Sequence, residues 1–383
     1  VQHQNFADWR GGLSLHYKQS DFTAVGTEAF TPPSETNSIA LAWIEERHFG
    51  DVLLQLGARI ERTTITANKV RLPDIELLEA EDDHHDDDHS GHDHDHHSEH
   101  SITRNFDVEH TFTPVSLSAG LVWDFSDGYN LGLSLSHSER APSASELLSF
   151  GPHIGTGSYE VGALFTLHDD QGESAHLGLT ENDIVMETAQ NIDLSLRKFK
   201  GDFGFIFNAF YNQIDDYYYE QATLFSAEDG HDHSAHDHGD HDSHSDDEAL
   251  HTLPLYLFNA QDVELHGFEA QTIWQVTPEF SWKIQGDIIR ARLTSGGELP
   301  RTPPARISTE LSYQGEKLSA DLFVSHHFKQ THTATLENTT NGYTMIDANI
   351  NYHFTVGQHD LSLYLKGTNL TDEYAQVHTS FLK

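Results

Sequence analysis

Histidine and acidic residues are concentrated in two tracts of the chain, residues 81–101 and 228–251, which together hold half of its 30 histidines. Neutral imidazole nitrogens beside carboxylate oxygens are the ligand set that zinc and other borderline divalent metals prefer. Overlapping ligand sets also let an ion move between neighbouring sites. The tracts therefore predict segments that collect metal ions. Their candidate ligands are His84, His85, His89, His92, His94, His96, His97, His100, His231, His233, His236, His238, His241 and His244.

Each tract is too polar to bury a core, so we expect it to be a mobile loop. The alternative is a solvated acidic linker in which histidine is incidental. Ordinary acidic linkers use Ser, Gly, Pro and Glu, and Asp already supplies charge, so the abundance of histidine favours metal binding. Many histidine sets are equivalent, and the sequence does not select the ones that coordinate together.

The charge and the cysteine content of the chain indicate which kinds of partner it can bind. The chain has 383 residues, a formal net charge of -40 at pH 7 with His neutral, and no cysteine. A field of that sign concentrates cations and disfavours nucleic acid or an anionic membrane surface as a partner. Without cysteine, the available strong metal coordination is by His, Asp and Glu.

The hydrophobic residues follow the pattern of strands. No apolar run approaches the ~20 residues of a membrane-spanning helix, whereas a β-barrel alternates lipid-facing and lumen-facing residues and never shows such a run. Period-two alternation predicts about 13 strands of about ten residues each. The clearest alternating segments are 38–46, 52–62, 114–124, 129–139, 191–198, 203–211, 263–276, 280–290, 304–313, 318–328, 345–354 and 360–370.

Short and long connections alternate along the chain. Short turns such as Ser126-Asp127-Gly128 and Lys200-Gly201-Asp202 separate long loops, and both tracts lie in long loops. The long loops are 19–37, 63–104, 140–187, 220–255, 293–303 and 329–341. An up-and-down outer-membrane barrel has this alternation, with tight turns on the periplasmic side and long loops outside. We therefore expect an all-β, antiparallel transmembrane β-barrel embedded in outer-membrane lipid, with a soluble sandwich or propeller as the alternative.

Aromatic residues lie near the predicted strand ends, as in the girdles of such barrels. They are Trp43, Trp123, Tyr129, Tyr217, Tyr218, Tyr219, Trp274, Trp282 and Tyr343.

A series of short motifs resembles the C-terminal barrel of TonB-dependent outer-membrane receptors. In order, they are Arg140-Ala141-Pro142-Ser143-x-x-Glu146-Leu147, Gly151-Pro152-His153, Tyr159-Glu160-x-Gly162, Phe210-Tyr211-x-x-Ile214-x-Asp216-Tyr217, Asn259-Ala260, Gly267-Phe268-Glu269, Leu299-Pro300-Arg301, Gly342-Tyr343-x-Met345-Ile346-Asp347 and Asn369-Leu370-x-Asp372. With the histidine tracts and Gly26-x-Glu28-Ala29-Phe30-x-Pro32-Pro33, the chain resembles the zinc-uptake (ZnuD-like) branch of that family.

The resemblance implies an outer-membrane location in a Gram-negative bacterium and a zinc ion as cargo. It also implies an N-terminal plug that contacts a TonB-type energy-transducing protein, and a barrel of about 22 strands. The present strands match strands nine to 21 of that pattern. We therefore expect residues 1–383 to be the C-terminal part of a receptor barrel, either a fragment or an incompletely sequenced protein.

The resemblance to the zinc-uptake branch also implies a metal site above the plug. Its ligands would be Asp and His of the plug together with a Glu and a His of the barrel. The positions that match the barrel ligands are Glu28 and His153.

No nucleophile and base are arranged as in an enzyme. The alternatives are a receptor for another metal or metal chelate (nickel, cobalt, copper or a siderophore), and a passive porin or adhesin that binds metal.

Overall fold

The computed structural model describes residues 1–3, 7–26, 29–72, 75, 77–79, 104–169, 175–228 and 252–380. Within these ranges, no helix is long and apolar enough to cross a membrane. The strands are β1 Arg10–Phe22, β2 Ser34–Phe49, β3 Val52–Leu72, β4 Leu77–Glu79, β5 Arg104–Phe112, β6 Val115–Ser126, β7 Tyr129–Arg140, β8 Phe150–His153, β9 Ser158–Val161, β10 Phe165–His168, β11 His176–Leu179, β12 Glu187–Lys198, β13 Phe203–Glu228, β14 Thr252–Gln275, β15 Phe280–Leu293, β16 Arg306–Gln314, β17 Leu318–His327, β18 Tyr343–Val356 and β19 His359–Gly367, with one helix, α1, at Ala144–Leu148.

The long strands pair with their neighbours along the chain in an antiparallel meander. β5 and β6 are halves of one strand, interrupted at Thr113-Pro114, and both pair with β3. With that pair taken as one, the described residues form thirteen long strands, running from β1 through β7 to β12 and on to β19. The all-β, antiparallel prediction and its strand number are confirmed.

The connections lie at two ends of the sheet. The short ones are residues 50–51, 127–128, 199–202, 276–279, 315–317 and 357–358. Because successive strands are antiparallel, all of these lie at one end, and every long connection lies at the other. The strands that flank the two histidine tracts therefore approach them at the long-loop end.

One face of the sheet is apolar and exposed. Leu133 on β7 lies opposite Leu121 on β6 and Leu194 on β12. The Leu133 and Leu194 residues are 40% and 47% exposed. Ser134, on the other face, lies opposite Asp193 and Gly120. An apolar outer face and a polar inner face are the division that a barrel in lipid requires.

Exposed aromatic residues mark the short-turn end. Trp274 and Trp282 face each other across β14 and β15 and are 45% and 39% exposed, as a lipid-interface girdle requires. The girdle prediction is wrong for Tyr218, Tyr219 and Tyr343, which are buried. The two β13 tyrosines pack in hydrophobic clusters at the long-loop end.

The long-loop end contains a hydrophobic core of its own. Leu147 and Leu148 of α1, Val161 of β9 and Leu255 of β14 are fully buried and pack in one cluster with Ile65 of β3. Strands β13 and β14 have 26 and 24 residues, more than twice what crosses a bilayer. Their ends therefore continue beyond the membrane-spanning sheet and support a folded cap above it.

Candidate metal-binding site

The long connection between β7 and β12 begins with an anchored helix. Ser143 caps α1 by accepting a hydrogen bond from the Glu146 backbone, while the Glu146 side chain accepts one from the Ser143 backbone at 2.6 Å. Arg140 donates to Glu146 at 2.9 Å and to Glu187 at 2.7 Å, at the residues where β7 ends and β12 begins. These contacts close the base of the loop.

The titration of Glu146 reflects this arrangement. Burial by itself would raise the pKa of Glu146, but the hydrogen bonds from Arg140 and from the Ser143 backbone outweigh it and lower the pKa below its usual value. The Arg140, Ala141, Pro142 and Glu146 segment therefore has a structural role at the base of the loop.

His153 is held by a buried carboxylate. Nδ1 of His153 lies 2.5 Å from Oε1 of Glu160, which is 4% exposed. The two residues lie on β8 and β9, a hairpin in which Gly151 pairs with Glu160 and His153 with Ser158. The hydroxyls of Thr156 and Ser158 donate to the same carboxylate oxygen at 3.1 Å and 3.3 Å. The Thr156 and Ser158 hydroxyls thereby hold the Glu160 carboxylate in its buried position.

The nitrogen of His153 that faces away from Glu160 makes no hydrogen bond with a described residue. Metal-binding histidines usually donate from one ring nitrogen to a carboxylate and coordinate with the other, because that contact fixes the ring and raises its basicity. His153 has this geometry. The side chain is 36% exposed, so the second nitrogen is open to a ligand.

The segment between β1 and β2 packs onto this histidine. The Phe30 ring stacks on the His153 ring, with centroids 4.4 Å apart. The Phe150 amide donates to the Phe30 carbonyl at 2.5 Å, and Thr31 and Ser149 place their hydroxyl oxygens 3.3 Å apart. Glu28 lies outside the described residues, but Phe30, two residues further along, contacts His153 directly.

A cavity of about 360 Å³ opens at the long-loop end and reaches Thr156. Glu337, in its wall, accepts from the backbone of Arg301 at 2.7 Å and of Ala334 at 2.9 Å, and its carboxylate lies 3.3 Å from Nε2 of the buried His378. The Glu337 carboxylate and the His378 ring therefore contact each other within the wall of the cavity.

A family comparison identifies the chain. The model of the TonB dependent receptor-like β-barrel family matches residues 1–370. The chain belongs to this family. Its members are outer-membrane proteins of Gram-negative bacteria.

Solved structures with the same fold include a copper transporter, an iron transporter and a hemophore receptor. The "Copper transporter OprC" has a TM-score of 0.67 and 13% identity, over 98% of this chain and 50% of that chain. The FrpB iron transporter from Neisseria meningitidis (F3-3 variant) has a TM-score of 0.57 and 12% identity, over 99% and 50%. The hemophore receptor HasR of Serratia marcescens, solved with its hemophore HasA and heme, has a TM-score of 0.58 and 14% identity, over 95% and 53%. The present receptor barrel spans about half the length of each.

The structure describes only one of the metal ligands predicted for this receptor barrel. Only His153 falls on described residues; Glu28 and the fourteen tract histidines named as candidate ligands lie outside them. Within the described ranges, no group of three or more His, Asp or Glu side chains is arranged to hold a metal ion. The tract and ligand assignments stay predictions.

The sequence motif that contains Glu160 gave no link between this residue and His153. A signal was present, because Ser158 and Glu160 are polar at alternate positions and so lie on one face of a short strand. Only the hairpin register showed that this face meets the His153 ring.

Proposed function

We propose that this chain is part of an outer-membrane TonB-dependent receptor that captures zinc ions outside the cell and imports them. The observation that carries the proposal is the His153 geometry, with Nδ1 held by buried Glu160 and the other nitrogen open. It occurs at the same end of the sheet as the strands that lead into both histidine tracts. A fixed imidazole at the end of the sheet where the chain enters both tracts is suited to receive an ion that the tracts have collected.

The contact between Phe30 and His153 supports a shared site for Glu28 and His153. Phe30 stacks on the imidazole and its carbonyl accepts from Phe150, so the chain two residues after Glu28 is anchored beside the histidine. A carboxylate and an imidazole from two separate loops are half of a tetrahedral zinc site. The remaining ligands would come from the plug that the family pattern places inside the barrel.

The proposed route has three stages. The negative charge of the chain, -40 in total, raises the local concentration of cations. The tracts bind zinc at many weak, exchanging sites, and the ion then passes to the fixed site of Glu28 and His153. A TonB-type protein acting on the plug opens the path inward. Since imidazole coordinates only when neutral, capture weakens as the pH falls through about 6.5.

Copper and nickel are the competing cargoes. Sites made of imidazole and carboxylate bind both metals at least as well as zinc by the Irving–Williams order. The chemistry of the tracts therefore identifies a class of divalent ion, and a competition experiment identifies the cargo.

The experiment measures uptake of radioactive zinc by cells that produce the full-length receptor, with and without TonB. In one variant every tract histidine is replaced by Ser at unchanged tract length. In its matched control the histidines stay and all fourteen tract Asp residues become Asn. We expect uptake at scarce zinc to fall about tenfold in the histidine variant and less in the control, because imidazole supplies the ligands.

Three results would contradict the proposal. Unchanged uptake at scarce zinc in the histidine variant removes the tracts from the mechanism. Uptake that does not need TonB excludes an energised receptor. Complete competition by copper or nickel at concentrations equal to zinc assigns the receptor to the other metal.

A further inference from the structure

A second pair of histidines faces each other in the loop between β7 and β12. β10 and β11 form a two-stranded antiparallel hairpin in which His168 lies directly opposite His176. Their rings are stacked, with centroids 5.1 Å apart and planes 22° apart. Neither ring forms a hydrogen bond with a described residue. Two imidazoles are thus held side by side, and no described residue forms a hydrogen bond with their nitrogen atoms.

The hairpin has one buried face and one open face. Phe165 and Leu177 are 4% and 8% exposed and pack in the core of the cap. Since successive residues of a strand point to opposite faces, His168 and His176 lie on the face turned away from that core. His176 is exposed and His168 is partly exposed. The core anchors the hairpin, and the imidazole pair is open to an ion in solution.

Gly178 gives the His168 ring its position. A Cβ atom at Gly178 would lie 2.7 Å from Nε2 of His168, so any larger residue would displace the imidazole. The ring occupies the space that the missing side chain leaves. This arrangement holds His168 over the hairpin and near His176.

The stacked rings can share a metal ion once they rotate about their side-chain bonds. As they stand, the planes are 22° apart and the centroids 5.1 Å apart, so the nitrogen lone pairs lie in nearly parallel planes. A shared ion about 2.0 Å from each nitrogen would turn the two rings edge to edge. Directly opposed residues of an antiparallel pair have the Cβ spacing that allows two side chains to reach one point.

We infer that His168 and His176 together bind one first-row divalent transition-metal ion on the surface of the cap, with water in its remaining coordination positions. Imidazole suits copper, nickel and zinc, and copper binds such a pair most tightly. The site is separate from His153 and does not depend on the proposed import of zinc. It is an ordered two-histidine site on the same cap.

The test is metal-catalysed oxidation of the full-length receptor in detergent, with Cu²⁺ and ascorbate and peptide mass spectrometry. Bound copper directs oxidation to its own ligands, so each histidine reports separately although the tracts also bind copper. We expect His168 and His176 to be oxidised together, and an excess of Zn²⁺ to suppress both at one common zinc concentration. Suppression at two clearly different concentrations would overturn the inference, and this measurement needs no variant.

The H168Q and H176Q variants test whether the two residues share an ion. We expect oxidation of His176 in H168Q, and of His168 in H176Q, to fall at least about tenfold, because a two-point attachment becomes a single contact. The H48Q variant, at the short-turn end, is the matched control and should leave both unchanged. Undiminished oxidation of His176 in H168Q would show that the residues act separately. The readout is the oxidation of His168 and His176, not transport. A receptor that showed this oxidation pattern but imported no zinc would therefore contradict only the proposed function.

Discussion

Nδ1 of His153 lies 2.5 Å from Oε1 of Glu160, a buried carboxylate on the neighbouring strand of the same hairpin. Because a carboxylate accepts hydrogen bonds, this contact places the imidazole proton on Nδ1 and leaves the lone pair of Nε2 for a ligand. The residue that selects this state of the ring is seven positions from it in the chain. Glu160 is therefore a positioning residue for the proposed metal site.

The first prediction concerns Glu160→Gln. A glutamine amide can donate to Nδ1 and so favour the opposite tautomer, with the proton on Nε2, where it blocks coordination. We expect the zinc concentration that half-saturates uptake to rise about tenfold, the effect typical of losing an outer-shell partner of a metal ligand. His153→Gln should match or exceed it.

The matched control is Glu181→Gln, which changes an exposed glutamate of the same loop. It should leave the half-saturating concentration unchanged. If H153Q impaired uptake and E160Q did not, the carboxylate would have no role in positioning the ring.

The second prediction concerns the base of the loop. Glu146→Gln removes a charged partner of Arg140 and weakens the cap of α1. We expect the free energy of opening this loop to fall by about 1–2 kcal/mol, the usual cost of a lost cap or charged hydrogen bond. Hydrogen exchange of the α1 amides measures it, with E181Q as the control, and unchanged exchange would argue against the anchoring role.

The third prediction is a dependence of loop stability on acid. The folded state lowers the pKa of Glu146 below its usual value, because hydrogen bonds from Arg140 and Ser143 outweigh burial. The stability that Glu146 contributes is therefore complete above that value and is lost as the pH falls through the lowered pKa. Exchange at α1 should accelerate below about pH 4.5 in the wild type. The E146Q variant should lack this component, and equal acceleration in both proteins would assign it to other groups.

The fourth prediction tests which face of the sheet meets lipid. Leu133→Lys places a charge on the exposed apolar face, whereas Ser134→Lys places it on the polar face beside an open cavity. We expect L133K to destabilise the barrel by about 2–4 kcal/mol if it lies near the bilayer midplane, and S134K to cost much less. Unfolding by denaturant in lipid vesicles measures both, and similar costs would contradict the assignment of the faces.

Strand identity was predictable because it depends on local, period-two alternation. Leu131, Leu133 and Leu135 lie on one face, as the sequence indicates. β7 ends and β12 begins where the predicted loop 140–187 starts and finishes. The prediction was wrong for the loop 220–255, where β13 continues to Glu228 and β14 begins at Thr252. Those residues are strands because they pack on α1 and β9, which lie elsewhere in the chain.

The sequence by itself determined the antiparallel barrel, the end of the sheet that carries the long loops, and two tracts whose composition suits a divalent metal. Each of these depends on residue type and near-neighbour spacing. Tertiary structure decided that Glu160 holds His153, that Phe30 stacks on the same ring, and that His168 faces His176. These contacts depend on hairpin register and loop packing, in which a shift of one residue would turn each side chain to the opposite face.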